Sequence, residues 1–348
     1  MIRKIYIFYF LTVIFSISPL VSTAQLVVPV DMANLVWKRV PNIPWKERDS
    51  HIVFEFKDKM WMMGGLNANG AKQGLYPNYE KAVYYNDIWS SVDGVTWVLE
   101  KEHAAFPSRR SLSVIEINGF LFMMGGWNKD SRATNDIWQS VDGVNWIKVL
   151  EHAAWPAREG QIIRKFKDKF WMFGGVNYDK KITYNDVWSS ADGINWKMEA
   201  RYSPWVSRWD HDVVVFNDAL WLSGGMNFGG IGYSDEWTSK DGVHWIRVYV
   251  SAPWGERQGL CSTVFQNKMW IVSGLTSLTN QGVGDAWYTD DGVNWHKTKK
   301  DGLWLGREDH DVVVFRDKLW VLGGMTSDWK WNNDVWYSDF PNAVVGVR

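Results

Sequence analysis

Three histidines occupy the same place relative to an arginine, and two of them have acidic neighbours. His51, His211 and His310 each stand three residues after an arginine. The segments WDHD (209–212) and EDHD (308–311) place carboxylates beside two of these imidazoles. Such groups can exchange protons with a substrate or bind a metal ion. The sequence therefore indicates one candidate acid/base cluster, formed by Asp210, His211, Glu308 and His310.

The sequence lacks the motifs that would fix a cofactor. It contains no HExxH, no paired CxxC and no phosphate-binding glycine loop. Its only cysteine, Cys261, lies in the segment GLCSTVF and is expected to be buried and unreactive. Because neighbouring residues of a strand point to opposite faces, the four acid/base candidates need not converge. We therefore predict neither a metal nor a cofactor, and whether the protein is an enzyme stays open.

The arginines that precede the histidines belong to a repeat about 50 residues long. In every copy an aromatic residue stands three positions before the arginine. A glycine pair that closes an apolar run recurs with the same period, with Ser273-Gly274 as its variant, and so does an Asp-x-Trp motif. The six repeat arginines are Arg48, Arg109, Arg158, Arg208, Arg257 and Arg307.

Each copy contains four short β-type runs separated by turn signals. In the fourth copy they are HDVVVF (211–216), ALWLS (219–223), DEWTS (235–239) and VHWIRVYV (243–250). The last two are joined by Asp241-Gly242, a strong hairpin signal because glycine accepts the positive φ of a tight turn. Four antiparallel strands repeated six times predict an all-β, six-bladed β-propeller. The last copy lacks its fourth run, and residues 33–40 (ANLVWKRV) are expected to supply it and close the ring.

The glycine pair after a strand, the aromatic third and fourth strands and the unit length resemble kelch repeats, the family of galactose-oxidase-like propellers. In kelch propellers that bind peptides, arginines at this register line the binding face, so the resemblance implies that the six repeat arginines contact a ligand. The residues alone also allow these arginines to bond loop carbonyls and stack on the aromatic residue before them. Guanidinium groups around a central channel would favour an anionic ligand. The segment SVDGVNW resembles the Asp-box of sialidase-type propellers but is one residue shorter.

Most of the 26 tryptophans recur in register with the repeat, so packing between blades accounts for them. Four do not: Trp127, Trp209, Trp329 and Trp331. In an antiparallel blade these four and the repeat arginines are expected to share one rim. The longest inter-strand connection, residues 66–85, belongs to the same rim and carries Tyr76 and Tyr79. Because function concentrates on variable loops, we predict the ligand-binding face there.

The N-terminus has the layout of a secretory signal. Two basic residues precede an apolar run, and small residues follow at Ser22 and Ala24. We therefore predict a signal peptide at 1–24, a propeller at 26–341 and a tail at 342–348, with a secreted or periplasmic location and no membrane segment after signal removal. The net charge of −1 gives no support for nucleic-acid binding.

Three functions remain open from the sequence. The first is binding of a carbohydrate, an anionic small ligand or another extracytoplasmic ligand on the face that bears arginine and tryptophan. The second is a carbohydrate-active enzyme, such as a glycosidase, lyase or sugar epimerase or mutarotase, that uses the same face. The third is a scaffold for a protein partner.

Overall fold

The computed structural model describes residues 32–73, 76–230, 232–276, 281–299 and 304–339. The expected signal peptide at 1–24 and tail at 342–348, together with the side chain of Tyr76, lie outside the described residues. One short 3₁₀ turn, Met32–Asn34, precedes the strands. In these ranges no helix is long and apolar enough to cross a membrane.

The described chain is all-β and forms six main antiparallel sheets, numbered here in chain order. Five have four strands, and sheet 1 has a fifth, Val83–Tyr84, paired with Lys59–Asn67. The strands of sheets 1 to 3 are Asp49–Phe56, Lys59–Asn67, Ile88–Ser91 and Trp97–Lys101; Ser113–Ile117, Phe120–Met124, Ile137–Ser140 and Trp146–Leu150; and Ile162–Phe166, Lys169–Phe173, Val187–Ser190 and Lys197–Ala200. Those of sheets 4 to 6 are Trp209–Phe216, Ala219–Met226, Glu236–Ser239 and Ile246–Tyr249; Cys261–Phe265, Lys268–Val272, Ala286–Thr289 and Trp295–Lys297; and Asp311–Phe315, Lys318–Leu322, Val335–Asp339 and Val36–Val40.

Shorter strands lie in the connections at one end of the sheets. They are Lys72–Gln73, Tyr76–Pro77, Val83–Tyr84, Trp127–Asn128, Arg132–Ala133, Val176–Asn177, Ile182–Thr183, Leu275–Thr276, Gln281–Gly282, Arg307–Glu308, Met325–Thr326 and Lys330–Trp331. Most of them join the second strand of a sheet to its third, so they extend the connections that the sequence indicates as the functional rim.

The Asp-Gly hairpins form because the aspartate and a serine satisfy the turn locally. In sheet 1, Asp93 Oδ1 accepts bonds of 2.8 and 2.7 Å from the amides of Val95 and Thr96, and Ser91 Oγ accepts the amide of Gly94 at 2.8 Å. The same pattern recurs at Asp142, Asp192, Asp241 and Asp291. The four-stranded unit predicted from the sequence is therefore present, with local turn chemistry that explains its repetition.

The N-terminal strand Val36–Val40 pairs antiparallel with Val335–Asp339, with Trp37 opposite Ser338. The ring of Trp37 is 5% exposed and lies edge-on to Trp304, with 4.2 Å between ring centroids. The two ends of the chain thus share the sixth sheet, and the tryptophan of residues 33–40 is packed as its repeat counterparts are.

The core consists of apolar layers between successive sheets. Residues of sheets 1 and 2 pack together, as do those of each following pair, and Trp320 of sheet 6 packs with Met60 and Met62 of sheet 1. The first strand of every sheet contacts the first strands of the two neighbouring sheets, and that of sheet 6 contacts that of sheet 1. The carboxylate of Asp311 accepts the amide of Val53 at 2.6 Å across this last junction.

Candidate functional site

The six repeat arginines join the other two repeated motifs. Each guanidinium is 0 to 1% exposed, and its Nη1 lies 2.5 to 2.8 Å from the aspartate of an Asp-x-Trp motif. The same nitrogen donates to the carbonyl of the first residue of the glycine pair, or of Ser273, at 2.7 to 3.0 Å. The partners of Arg48, Arg109, Arg158, Arg208, Arg257 and Arg307 are Asp87, Asp136, Asp186, Asp235, Asp285 and Asp334. These contacts hold the guanidinium groups inside the sheets.

The residue directly after each repeat arginine lines a pocket of about 480 Å³. These six residues are Asp49, Arg110, Glu159, Trp209, Gln258 and Glu308. Five residue types occupy these six positions, whereas the arginine before them never changes. Only Trp209 and Glu308 of this set were predicted from the sequence. The signal that identifies the others is variation at one fixed position of an otherwise regular repeat.

The next residue of each copy adopts a left-handed backbone conformation. Ser50, Ser111, Gly160, Asp210, Gly259 and Asp309 have φ between 50° and 63°. Backbone N–H···O=C bonds of 2.8 to 3.2 Å join five of the successive pairs in this set of six described residues. One of the five runs from the amide of Ser50 to the carbonyl of Asp309 and so links the first copy to the last. Left-handed backbone is costly for residues other than glycine and is retained where the surroundings enforce it. These residues form a strained backbone ring between the pocket and a narrower cavity.

That narrower cavity, of about 150 Å³, is lined by the first strands of the sheets. His51, His211 and His310 line it and are 2 to 6% exposed. Burial and the neighbouring Arg208 lower the pKa of His211 to about 3, and burial lowers those of the other two to the same value. Of the acid/base candidates, Glu308 lines the larger pocket, His211 and His310 line the cavity below, and Asp210 lines both. The structure does not bring the four side chains to one point.

One wall of the pocket is aromatic. Trp209 is 4% exposed, with its ring centroid 5.5 Å from that of Tyr178 and 4.9 Å from that of Phe228. Tyr178 and Phe228, by contrast, are 38% and 44% exposed. Trp209 therefore supports two rings whose surfaces remain available to a ligand. Tyr178 and Phe228 were not predicted from the sequence, although both stand three residues after a glycine pair, in GGVNY (174–178) and GGMNF (224–228).

Of the other aromatic residues predicted for this rim, three line the pocket and one is packed in the core beneath it. Trp127, Trp329 and Tyr79 line the pocket, with Trp329 half-buried. Trp331 is 1% exposed and packs with Leu66 and Met325, among others, so it supports the rim from inside. The long connection at 66–85 thus contributes Tyr79 to the site.

Arg110 lines the pocket, and its guanidinium is held by one carboxylate and three aromatic rings. Arg110 donates to Glu159 through Nε at 2.8 Å and Nη2 at 3.2 Å, and its guanidinium lies 5.2 to 5.6 Å from the ring centroids of Tyr79, Trp127 and Tyr178. No bond from its Nη1 to another described residue is formed. Arg110 can therefore present a fixed donor to a ligand.

Four carboxyl groups gather beside Arg110. Burial raises the pKa values of Asp49, Asp210, Glu308 and Asp309, and Asp309 raises those of the other three further by charge repulsion. In contrast, although burial alone would raise the pKa of Asp136, its bonds to Arg109 and Trp138 lower it. Among the described residues the four pocket carboxyls form no ion pair with an arginine, although the charge of Arg110 lowers the pKa values of Asp49, Asp210 and Asp309.

The mouth of the pocket is bounded by an exposed ion-pair network. Arg132 donates to Glu80 at 2.9 Å and to Asp179 at 2.7 Å, and its guanidinium lies 4.6 Å from the ring centroid of Trp127. These residues come from the connections of three successive copies. The network ties the long 66–85 connection to its neighbours.

Comparison with known proteins gives a likeness of fold. No family model matches the chain, and no curated protein matches it. The solved structure of YjhT is similar, with a TM-score of 0.68 and 16% sequence identity, and the match covers 85% of this chain and 95% of YjhT. YjhT is a propeller-type structure. The chain therefore has a propeller-like all-β fold.

The described residues contain neither a group of metal ligands nor a thiol with a lowered pKa. No group of three His, Cys, Asp or Glu side chains in the described ranges is arranged to hold a metal ion. Cys261 is half-buried, and its Sγ donates to the carbonyl of His310 at 3.1 Å. Burial raises the pKa of this thiol, so it stays protonated and a poor nucleophile.

Proposed function

We propose that the chain is a closed six-bladed propeller of kelch type that binds a carbohydrate in its rim pocket, outside the cytoplasm. The closed ring is supported by the shared sixth sheet and by the contact between the first strands of sheets 1 and 6. A third observation also supports the closed ring. The indole ring of Trp320 in sheet 6 packs against Gly94 of sheet 1, just as that of Trp61 packs against Gly143 of sheet 2. Export rests on residues 1–24 of the sequence.

The observation that carries carbohydrate binding is the pairing of aromatic surface with planar polar groups in one pocket. Tyr178, Phe228 and Trp329 offer ring surface to the C–H face of a sugar. Arg110 and the carboxyl groups offer hydrogen bonds of fixed direction to its hydroxyls. A pocket of about 480 Å³ is within the size range of small-ligand sites.

The charges of the pocket change the expected ligand. The sequence suggested an anionic ligand because six arginines were expected on this face, but their guanidinium groups are buried against aspartates. The acidic residues that line the pocket are Asp49, Glu80, Glu159, Asp210, Glu308 and Asp309, and the basic ones are Arg110 and Arg132. A ligand without negative charge fits this surface better.

Isothermal titration with three β-linked disaccharides, of glucose, N-acetylglucosamine and glucosamine, tests the proposal. We expect at least one to bind, and Phe228→Ala and Trp329→Ala to weaken it about tenfold or more, as loss of an aromatic anchor does. Tyr202→Ala removes an aromatic residue that is 74% exposed and does not line the pocket, so it serves as the control. Absence of binding by all three sugars contradicts the proposal.

A second candidate is a sugar-modifying enzyme at the same pocket. The observation in its favour is the raised pKa of Asp210, which can keep a carboxylic acid protonated for proton donation. An assay for hydrolysis and anomer exchange of the bound disaccharide would detect it. Turnover that is lost in Asp210→Asn, with binding retained, supports the enzyme, and binding without turnover supports the binding protein.

A further inference from the structure

We propose that the bound carbohydrate carries a positively charged amino group, which docks against Asp49, Glu308 and Asp309. This inference rests on carbohydrate binding in the rim pocket and names the ligand class. The apolar face of the sugar would lie on Tyr178 and Phe228. Its ammonium group would point to the acidic side of the pocket.

The acidic side lacks a cation of its own. Among the described residues, none of Asp49, Asp210, Glu308 and Asp309 forms an ion pair with a lysine, arginine or histidine. Their hydrogen-bond partners are neutral: Gln258 donates to Glu308 at 2.7 Å, and Ser50 donates to Asp309 at 3.1 Å. Buried carboxylates without a counter-charge are costly.

An unpartnered acceptor marks where the missing cation would sit. Asp49 is 2% exposed and lines the pocket, and its Oδ1 accepts no hydrogen bond from any described residue. Its backbone and that of Asp309 belong to copies 1 and 6, so the two carboxyls approach the pocket from adjacent sheets. An ammonium group has three donors and can satisfy several oxygens at once.

The basic residues of the pocket are already engaged. Arg110 forms two bonds with Glu159, and Arg132 is bonded to Glu80 and Asp179. Each arginine thus neutralises acidic residues outside the group of four. The charge of Arg110 lowers the pKa values of Asp49, Asp210 and Asp309, but no described basic residue forms an ion pair with them, so a cationic group of the ligand would be their direct partner.

A cation would also change the protonation of the site. Burial and mutual repulsion raise the pKa values of the four carboxyls. The other ionisable groups that face them are Arg110, Glu159, Tyr79, Tyr84, Tyr178 and Cys261. An approaching ammonium stabilises the carboxylate forms, so binding should release protons. Neutral sugars lack this effect.

Titration with the matched disaccharides at about pH 6 tests the amino group. We expect the glucosamine disaccharide to bind at least about tenfold more tightly than the glucose and N-acetylglucosamine disaccharides. The heat of its binding should vary with the ionisation enthalpy of the buffer, because protons are released. A disaccharide of galacturonic acid should bind most weakly.

Variants separate the acidic side from the rest of the pocket. Glu308→Gln and Asp309→Asn should each reduce the affinity ratio between the glucosamine and N-acetylglucosamine disaccharides from at least about tenfold to about threefold or less. Asp168→Asn, in an exposed turn away from the pocket, should change neither. Circular dichroism verifies folding, and the comparison of ligands on the unmutated protein does not depend on any variant.

The outcomes distinguish this inference from the function on which it rests. Equal affinity for all neutral and amino disaccharides overturns the amino-group proposal and keeps carbohydrate binding. Tighter binding of the galacturonic acid disaccharide also overturns it. Binding of cyclohexylamine without binding of any sugar supports the cation site and contradicts carbohydrate binding. No binding by any of these probes overturns both.

Discussion

Nη1 and Nη2 of Arg109 lie 2.7 and 2.9 Å from the two carboxylate oxygens of Asp136, in a pair that is almost fully buried. The arginine precedes the first strand of sheet 2, and the aspartate precedes its third strand. Trp138 donates to the same aspartate at 2.7 Å. The arginine, the glycine pair and the Asp-x-Trp motif are therefore parts of one structural unit, repeated six times.

Arg109→Met is expected to destabilise the protein by about 3–5 kcal/mol, because it leaves the buried carboxylate of Asp136 without its partner. The double variant Arg109→Met/Asp136→Leu should recover part of this loss, since neither charge remains. Urea unfolding of the single and double variants measures both effects. A single variant as stable as the unmutated protein would contradict the structural role of the pair.

The fold was largely predictable because its causes are local and periodic. Asp-Gly turns satisfied by their own side chains recur in register, and the unmatched strand at 33–40 identified its partner. The pairing of each repeat arginine with an aspartate downstream was also readable, since both recur with one period. From the sequence, the repeat arginines were expected either to contact a ligand or to bond loop carbonyls, and bonds to carbonyls are observed for all six.

The candidate site was less predictable because it depends on where the repeat fails. Arg110 stands next to Arg109 in sequence, yet one guanidinium is buried in the sheet and the other faces the pocket. Tyr178 and Phe228 meet around Trp209 only through the folded loops. No local pattern encodes these contacts.

Gly224→Ala is expected to lower the free energy of unfolding more than Gly119→Ala, because Gly224 lies in close contact with the next sheet and Gly119 does not. A Cβ at Gly224 (φ +66°) would lie 2.8 Å from the carbonyl oxygen of Arg257. It would also clash with the side chain of Leu260 from the next sheet. Gly119 (φ +83°) has no atom within 4 Å of such a Cβ. Gly119→Ala should cost about 1–2 kcal/mol through φ alone, and Gly224→Ala about 1–3 kcal/mol more through overpacking. Equal unfolding free energies would refute close approach between sheets.

Glu236→Gln should remove a loss of stability at rising pH. Burial raises the pKa of Glu236 from 4.5 to about 8, although Trp295 donates to this carboxyl at 3.1 Å. The folded state therefore keeps a proton that the unfolded chain releases above its ordinary pKa. The contribution of Glu236 to the free energy of unfolding is fully present below about pH 4.5. It is lost as the pH rises towards 8, by up to about 1.4 kcal/mol per pH unit. Unfolding free energies at about pH 5 and about pH 8 should differ less for the variant than for the unmutated protein; identical pH dependence would contradict the assignment.

His211→Leu should be tolerated, because two other copies carry leucine at the same repeat position. Leu112 and Leu260 pack against Gly64 and Gly224 as the ring of His211 packs against Gly174. The folded pKa of His211, about 3, lies below its ordinary 6.5, so the unfolded chain gains a proton first as the pH falls. Stability from the neutral ring is present above about pH 6.5 and is lost progressively towards pH 3.

The variant should therefore match the unmutated protein near pH 7 and gain relative stability in acid, as thermal unfolding at about pH 7 and about pH 4.5 would measure. Sugar affinity should not change, since His211 lines the cavity below the pocket and not the pocket itself. If a folded His211→Leu protein lost sugar binding or turnover, this histidine would have to be assigned to the functional site. In that case the acid/base cluster suggested by WDHD would form through a rearrangement of the strained ring at Asp210.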